Sequence, residues 1–258
     1  MDPQGLDDFL LWKPTAAVSY IGNGILYEQT RAVIYGRYKS YKSLVAARLA
    51  LSLANGDSWL GFQTQETGVT ALYLQIELSH KMLQIRVKKM WPGGSRPKVE
   101  PYLWTEHFIK LDTDAGLKQL DDALTKVKPQ VLIIDPVYKI LSGNILEASS
   151  VQKLLDNLDI MIATHNCSVV LVSHTRKGTY EEWGSDDLLG SVYFSAWADT
   201  LIRLERSTTG LKATFEVVRH AEVELPSREF ILDRDRLDFC YQPPMTSSVI
   251  LEGEKPKI

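Results

Sequence analysis

The sequence predicts an α/β protein: a mainly parallel sheet with helices on both faces and antiparallel strands at its C-terminal edge. Three observations carry this. Short apolar runs alternate with helical stretches from residue 31 to residue 173, the pattern of successive β-α-β units. The runs VLII (131–134) and VVLV (169–172) are continuously apolar, as strands buried on both faces must be. In the closing third, LIRLER, KATFEVVRH and REFILD are separated by turn residues (Thr209–Gly210, Pro226) and read as antiparallel edge strands.

Taken in order, residues 1–30 form an N-terminal segment with an apolar cluster, Leu6–Trp12, and a turn at Gly22–Asn23–Gly24. The cluster either contacts a neighbouring subunit or covers the chain's own core. A strand at 31–35 breaks at Gly36, and a helix over 42–54 exits at Asn55–Gly56, a C-cap glycine. A strand at 70–75, a helix at 79–90 and a Pro/Gly/basic loop at 91–101 follow. Then come a strand at 106–111, a helix at 114–127, the strand at 131–135, a helix at 149–165 and the strand at 168–173. The domain is expected to run over 31–241. The polar, proline-containing stretch 242–258 is expected to be a disordered tail.

The 258 residues, 45% hydrophobic and 24% charged, fit an ordinary globular protein of one or two domains. A net charge of −3 argues against a surface devoted wholly to nucleic acid, although a basic inner loop remains compatible with it. Two widely spaced cysteines, Cys167 and Cys240, form neither a disulfide framework nor a zinc motif. No run reaches the length of a membrane span, and the acidic start lacks the basic flank of a secretion signal. A cytoplasmic location is the expectation.

The chemistry concentrates at GRYKSYKS (36–43), which matches G-x-x-x-x-G-K-[ST] at every fixed position but one: Tyr41 stands where the second glycine belongs. A strand, a glycine turn and a helix start together make a phosphate-binding loop, because free amides and the helix dipole favour an anion there. Residues Gly36, Arg37, Tyr38, Lys39, Ser40, Tyr41, Lys42, Ser43 and Leu44 would cradle ATP. Lys42 would reach the β- and γ-phosphates, and the Ser43 hydroxyl would ligate Mg²⁺. Tyr41 either sits left-handed, at a cost of roughly 1–3 kcal/mol, or the loop takes a path that keeps its φ negative, with Lys39–Ser40 replacing lost contacts.

Other strand ends supply candidate partners. Asp135 ends the 131–135 run and would hold Mg²⁺; otherwise it caps the next turn. Glu77, after ALYLQ, would orient the attacking water; otherwise it is an acid at a helix start. His174, after SVVLVS, would contact the γ-phosphate or the water, or is a structural histidine.

These motifs in this order resemble the RecA-like P-loop ATPases, in particular the branch of the plasmid replication helicase RepA and related phage and mobile-element ATPases. The resemblance spans about residues 31–236. It rests on the loop, LANGDSWLGF (53–62), YLQIEL (73–78), LIIDPVYKILSG (132–143), VLVSHTRKG (170–178) and GSDDLLGSVYFSAWADTLIRLER (184–206). It implies a RecA fold and ATP hydrolysis at subunit interfaces of a homo-oligomeric ring, commonly a hexamer. Lys42 and Ser43 then match the phosphate and Mg²⁺ residues, Asp135 the second metal partner, Glu77 the water-activating carboxylate and His174 the γ-phosphate sensor. The family also supplies a cation from the neighbouring subunit, for which Arg219 is the first choice and Arg203 and Arg206 the next. Arg176 and Lys177 fall where the family touches single-stranded DNA, with a solvated loop as the rival reading. The expected function is a ring ATPase on single-stranded nucleic acid, a replicative helicase of a plasmid, phage or mobile element. The alternatives are an ATP-dependent loader or recombination mediator without unwinding, and a nucleotide-binding scaffold with weak hydrolysis.

Overall fold

The computed structural model describes residues 3–13, 15–93, 95–175 and 191–242. Among these residues the main sheet has nine strands. They are β3 (Arg31–Gly36), β4 (Ala71–Gln75), β5 (Tyr102–Thr105), β6 (Val131–Asp135), β7 (Ser168–His174), β8 (Thr200–Arg206), β9 (Gly210–Val218), β10 (Arg228–Asp233) and β11 (Asp238–Gln242). In space they run β11-β10-β9-β8-β3-β7-β6-β4-β5. From β8 to β5 every pairing is parallel, and from β8 to β11 every pairing is antiparallel, as the sequence predicts. A separate small hairpin joins β1 (Ser19–Ile21) to β2 (Leu26–Tyr27) through Asn23 and Gly24, both at positive φ.

Successive residues along each central strand enter opposite cores. In β3, Ala32 and Ile34 join a cluster with α2 (Lys42–Asn55) and α3 (His80–Met90), and Val33 and Tyr35 join one with α4 (Asp114–Val127), α5 (Ala148–His165) and α6 (Ser191–Trp197). Burial on both faces is what makes VLII (131–134) continuously apolar. The β1–β2 hairpin belongs to the first cluster through Tyr20, Ile21, Ile25 and Leu26.

Two expectations need correction. The strand expected at 106–111 lies earlier, at Tyr102–Thr105. Its partner β4 ends at Gln75, and the Glu106 amide, bonded to the Gln75 carbonyl at 3.1 Å, is the last rung. Beyond it no backbone remains to pair with. The alternation over 106–111 instead reflects a loop whose Ile109 and Leu111 are buried while Phe108 is exposed. The Leu6–Trp12 cluster does not cover the chain's own core: α1 (Leu6–Leu11) buries none of its residues.

Candidate nucleotide site

The parallel register aligns the strand ends. Gly36 of β3 lies opposite His174 of β7, and Gln75 of β4 opposite Asp135 of β6. Side chains following these positions therefore emerge together at the carboxyl edge, where open α/β sheets bind ligands.

The loop leaves β3 at Gly36, where a Cβ would lie 2.2 Å from the Leu204 carbonyl oxygen and 2.7 Å from Ser40 Oγ. Only glycine fits against β8 there. The backbone then turns through Lys39 at φ 66° and Tyr41 at φ 65° and enters α2. Of the two paths open in the sequence, the left-handed one is taken. Tyr41 is the N-cap, and no side chain caps α2, whereas Ser79 and Thr113 cap α3 and α4. The first-turn amides of α2 are thus left without a side-chain acceptor, as an anion site requires.

Lys42 is 5% exposed, and its ammonium donates to the carbonyls of Gly36 (2.9 Å) and Arg37 (2.6 Å). Burial brings its pKa down to about 8, against the opposing pull of Asp135 and Glu77. Asp135, also buried, accepts from Ser43 Oγ at 3.2 Å and from the Tyr73 hydroxyl at 2.6 Å. Burial raises its pKa despite these two donors. A hydroxyl and a buried carboxylate side by side, beside a buried ammonium and an uncapped helix start, form the donor set that MgATP needs.

Glu77 lies two residues beyond the end of β4. Its carboxylate accepts a short hydrogen bond from the Tyr138 hydroxyl, in the single 3₁₀ turn after Asp135. His174 is packed between Tyr138 (ring centroids 5.5 Å) and Tyr38 of the loop (6.5 Å). Burial, and then the Lys42 charge, lower its pKa to about 4, so the imidazole is neutral near pH 7. A cavity of about 490 Å³ opens beside the loop between Tyr38, Lys39, Thr175, Arg203, Glu205 and Arg206.

The sequence profile of the AAA domain family AAA_25 matches residues 3–180. The chain belongs to this family. Among solved structures it is similar to a KaiC-like protein of the hyperthermophilic archaeon Pyrococcus horikoshii OT3. The two share 14% identity at a TM-score of 0.58, over 87% of this chain and 94% of that one. That likeness shows the fold alone, and the fold is RecA-like. No curated protein sequence matches the chain. This AAA domain is thus a RecA-like P-loop ATPase. Among the described residues no helix is long and apolar enough to cross a membrane.

Lys42, Ser43, Glu77, Asp135 and His174 converge in the AAA domain. Arg219 does not join them: it follows the far end of β9, where its amide bonds to the Asp199 carbonyl and its guanidinium donates to the Ala196 carbonyl at 2.8 Å. Arg203 and Arg206 line the cavity beside the chain's own loop, with Arg203 paired to Glu205 and Glu216 and Arg206 over the Tyr41 ring. Arg176 and Lys177 lie outside the described residues. Two residues went unread in the sequence, Tyr73 and Tyr138. Their signal was a phenol in an otherwise apolar strand and another three residues after Asp135.

Proposed function

We propose that this AAA domain hydrolyses ATP with Mg²⁺ as a ring motor on single-stranded nucleic acid, in the manner of a RepA-type replicative helicase of a plasmid, phage or mobile element. The observation that carries the hydrolytic part is the convergence of one ammonium, one hydroxyl–carboxylate pair and a second carboxylate at adjacent strand ends. In this reading Lys42 neutralises the phosphates, and Ser43 and Asp135 hold the metal. The Mg²⁺ that Ser43 and Asp135 would hold would supply positive charge against that developing on the phosphate. Glu77 orients the attacking water and takes its proton, and the Tyr138 hydroxyl fixes the direction of that carboxylate. Neutral His174 hydrogen-bonds the γ-phosphate without adding charge.

The ring is supported by where Arg219 sits. The register puts Thr200, at the start of β8, against Val218, and Leu204, near its carboxyl end, against Ala213 and Gly36. Arg219 is therefore at the end of the sheet away from its own loop, and would serve only a nucleotide held by another copy. The homo-hexamer, the single-stranded DNA and the contacts of Arg176 and Lys177 follow from the family resemblance.

The test is ATP turnover with and without single-stranded DNA, alongside unwinding of a forked duplex, for wild type and Lys42→Ala. The helicase reading expects DNA-stimulated turnover and unwinding, both lost in the variant. Turnover without unwinding would move the assignment to a loader or mediator. Turnover untouched by Lys42→Ala would remove the phosphate-loop assignment itself.

A further inference from the structure

The residue that breaks the loop motif has an unexpected neighbour. Tyr41 adopts φ 65° and ψ 11°, a backbone conformation that a residue with a Cβ enters only at a cost. As N-cap, it sets the angle at which the loop meets α2, and so the direction of the amides that face the phosphates. Its half-buried ring packs on the first core cluster and lies 6.1 Å from the ring of Phe239. The Arg206 guanidinium sits over the same ring at 5.7 Å. Both distances fall within the range of favourable ring and cation–π contacts.

Phe239 belongs to β11, the outermost strand, four ladder steps from β3. In a flat sheet those steps would separate the strands by about 19 Å. The contact exists because the antiparallel end coils over α2. Three further ties hold it there. Asp238 pairs with Arg48 of α2, which also donates to the Met90 carbonyl at 2.8 Å. Leu44 and Phe239 pack on the same cluster. Arg228 of β10 lies 3.6 Å over the Phe62 ring and donates to the Leu60 carbonyl. Tyr41, Leu44 and Arg48 fall at helical spacing i, i+3, i+7, so one face of α2 meets the edge hairpin.

We propose that the β10–β11 hairpin is a positioning element for the phosphate loop, with Phe239 holding Tyr41 in the left-handed conformation that a glycine would adopt unaided. The inference rests on the ATP-binding reading of the loop. It explains how a tyrosine stands at a glycine position: the edge strand supplies the restraint that the residue lacks. Phe239 acts on the loop through the Tyr41 ring.

The test is equilibrium binding of a non-hydrolysable MgATP analogue by calorimetry. It compares wild type, Phe239→Ala, Phe239→Leu, Tyr41→Gly and the Tyr41→Gly/Phe239→Ala double variant, with turnover measured in parallel. Phe239→Ala should weaken binding about three- to tenfold, the worth of an aromatic pair, and raise KM with kcat kept within about twofold. The affinity of Tyr41→Gly sets the baseline for its own background, in which Phe239→Ala should have no further effect. An undiminished affinity in Phe239→Ala would overturn the proposal. So would an equal loss in the Tyr41→Gly background, because the strand would then be acting on the nucleotide or on overall stability. If circular dichroism finds Phe239→Ala unfolded, Phe239→Leu decides: it keeps the apolar contact with the cluster but loses the ring pair, and must show a smaller loss that Tyr41→Gly abolishes. Wild type binding no better than Lys42→Ala would instead discard the ATP-binding reading.

Discussion

Lys42 offers a pH-dependence that can be worked from the structure. Its ammonium is enclosed by the loop, and burial lowers its pKa from the ordinary 10.5 to about 8. At pH 7 about nine-tenths of the free protein carries the charge, and at pH 9 about one-tenth. Phosphate oxygens have finished titrating by then, so affinity for MgATP should fall about tenfold between pH 7 and pH 9. Lys42→Arg, whose guanidinium stays charged throughout, should bind more weakly at pH 7 but without that slope. Stability should move the other way. Between pH 8 and 10.5 the unfolded chain keeps a proton that the folded chain has released, so unfolding free energy rises with pH, by up to about 3 kcal/mol across the window. Below pH 8 both states are protonated and the burial cost is fully present. Lys42→Met should lack this rise. The assays are calorimetric titration and urea unfolding of nucleotide-free protein at half-unit pH steps. An affinity in wild type that is flat from pH 7 to pH 9 would refute the reasoning, because His174, neutral above about pH 5 with its pKa near 4, offers no compensating titration.

Glu77→Gln should keep MgATP affinity within about threefold while lowering turnover by at least 10²-fold, seen as a loss of kcat in steady-state assays. Tyr138→Phe should cost less, about three- to thirtyfold in kcat, because Glu77 stays and loses only the hydroxyl that holds it (a hydrogen bond to a charged group). Arg219→Ala should bind nucleotide normally and lose turnover on assembly. Mixed with Lys42→Ala it should regain part of that activity, since an intact Arg219 can then face an intact loop; mixtures that only average the parents would count against a role in trans.

The fold was legible because its signal is local and repeated. Strands buried on both faces leave uninterrupted apolar runs, and Gly36, Asp135 and His174 are found by where such runs stop. The expectation at 106–111 failed because alternation reports burial without reporting a partner. Ile109 and Leu111 are buried, yet the neighbouring strand had already ended. The path of Tyr41 was open in the sequence for a similar reason. Its restraint comes from Phe239, 198 positions along the chain, through a coil of the sheet that no window of residues displays. Tyr73 and Tyr138 were missed because a phenol in an apolar setting reads as core until the carboxylate it bonds is known.

Those two phenols change how the site's carboxylates divide their work. Asp135 and Glu77 follow adjacent parallel strands and each accepts a tyrosine hydroxyl, but the surroundings differ. Asp135 is enclosed at 1% exposure with the Ser43 hydroxyl beside it, and burial raises its pKa, so it favours a compensating cation. Glu77 stays exposed, which suits a group that must meet water. The Tyr138 ring that bonds Glu77 also stands edge-on to His174, whose other neighbour is Tyr38 of the phosphate loop. In the proposed function, a displacement of the loop around the γ-phosphate would be passed by these ring contacts to the residue that holds the Glu77 carboxylate. The chain continues from His174 straight into segment 176–190, where Arg176 and Lys177 fall. One strand end thus adjoins the phosphate loop, the carboxylate and the segment proposed to meet nucleic acid. In the proposed function, hydrolysis and nucleic-acid binding would be coupled through that shared end.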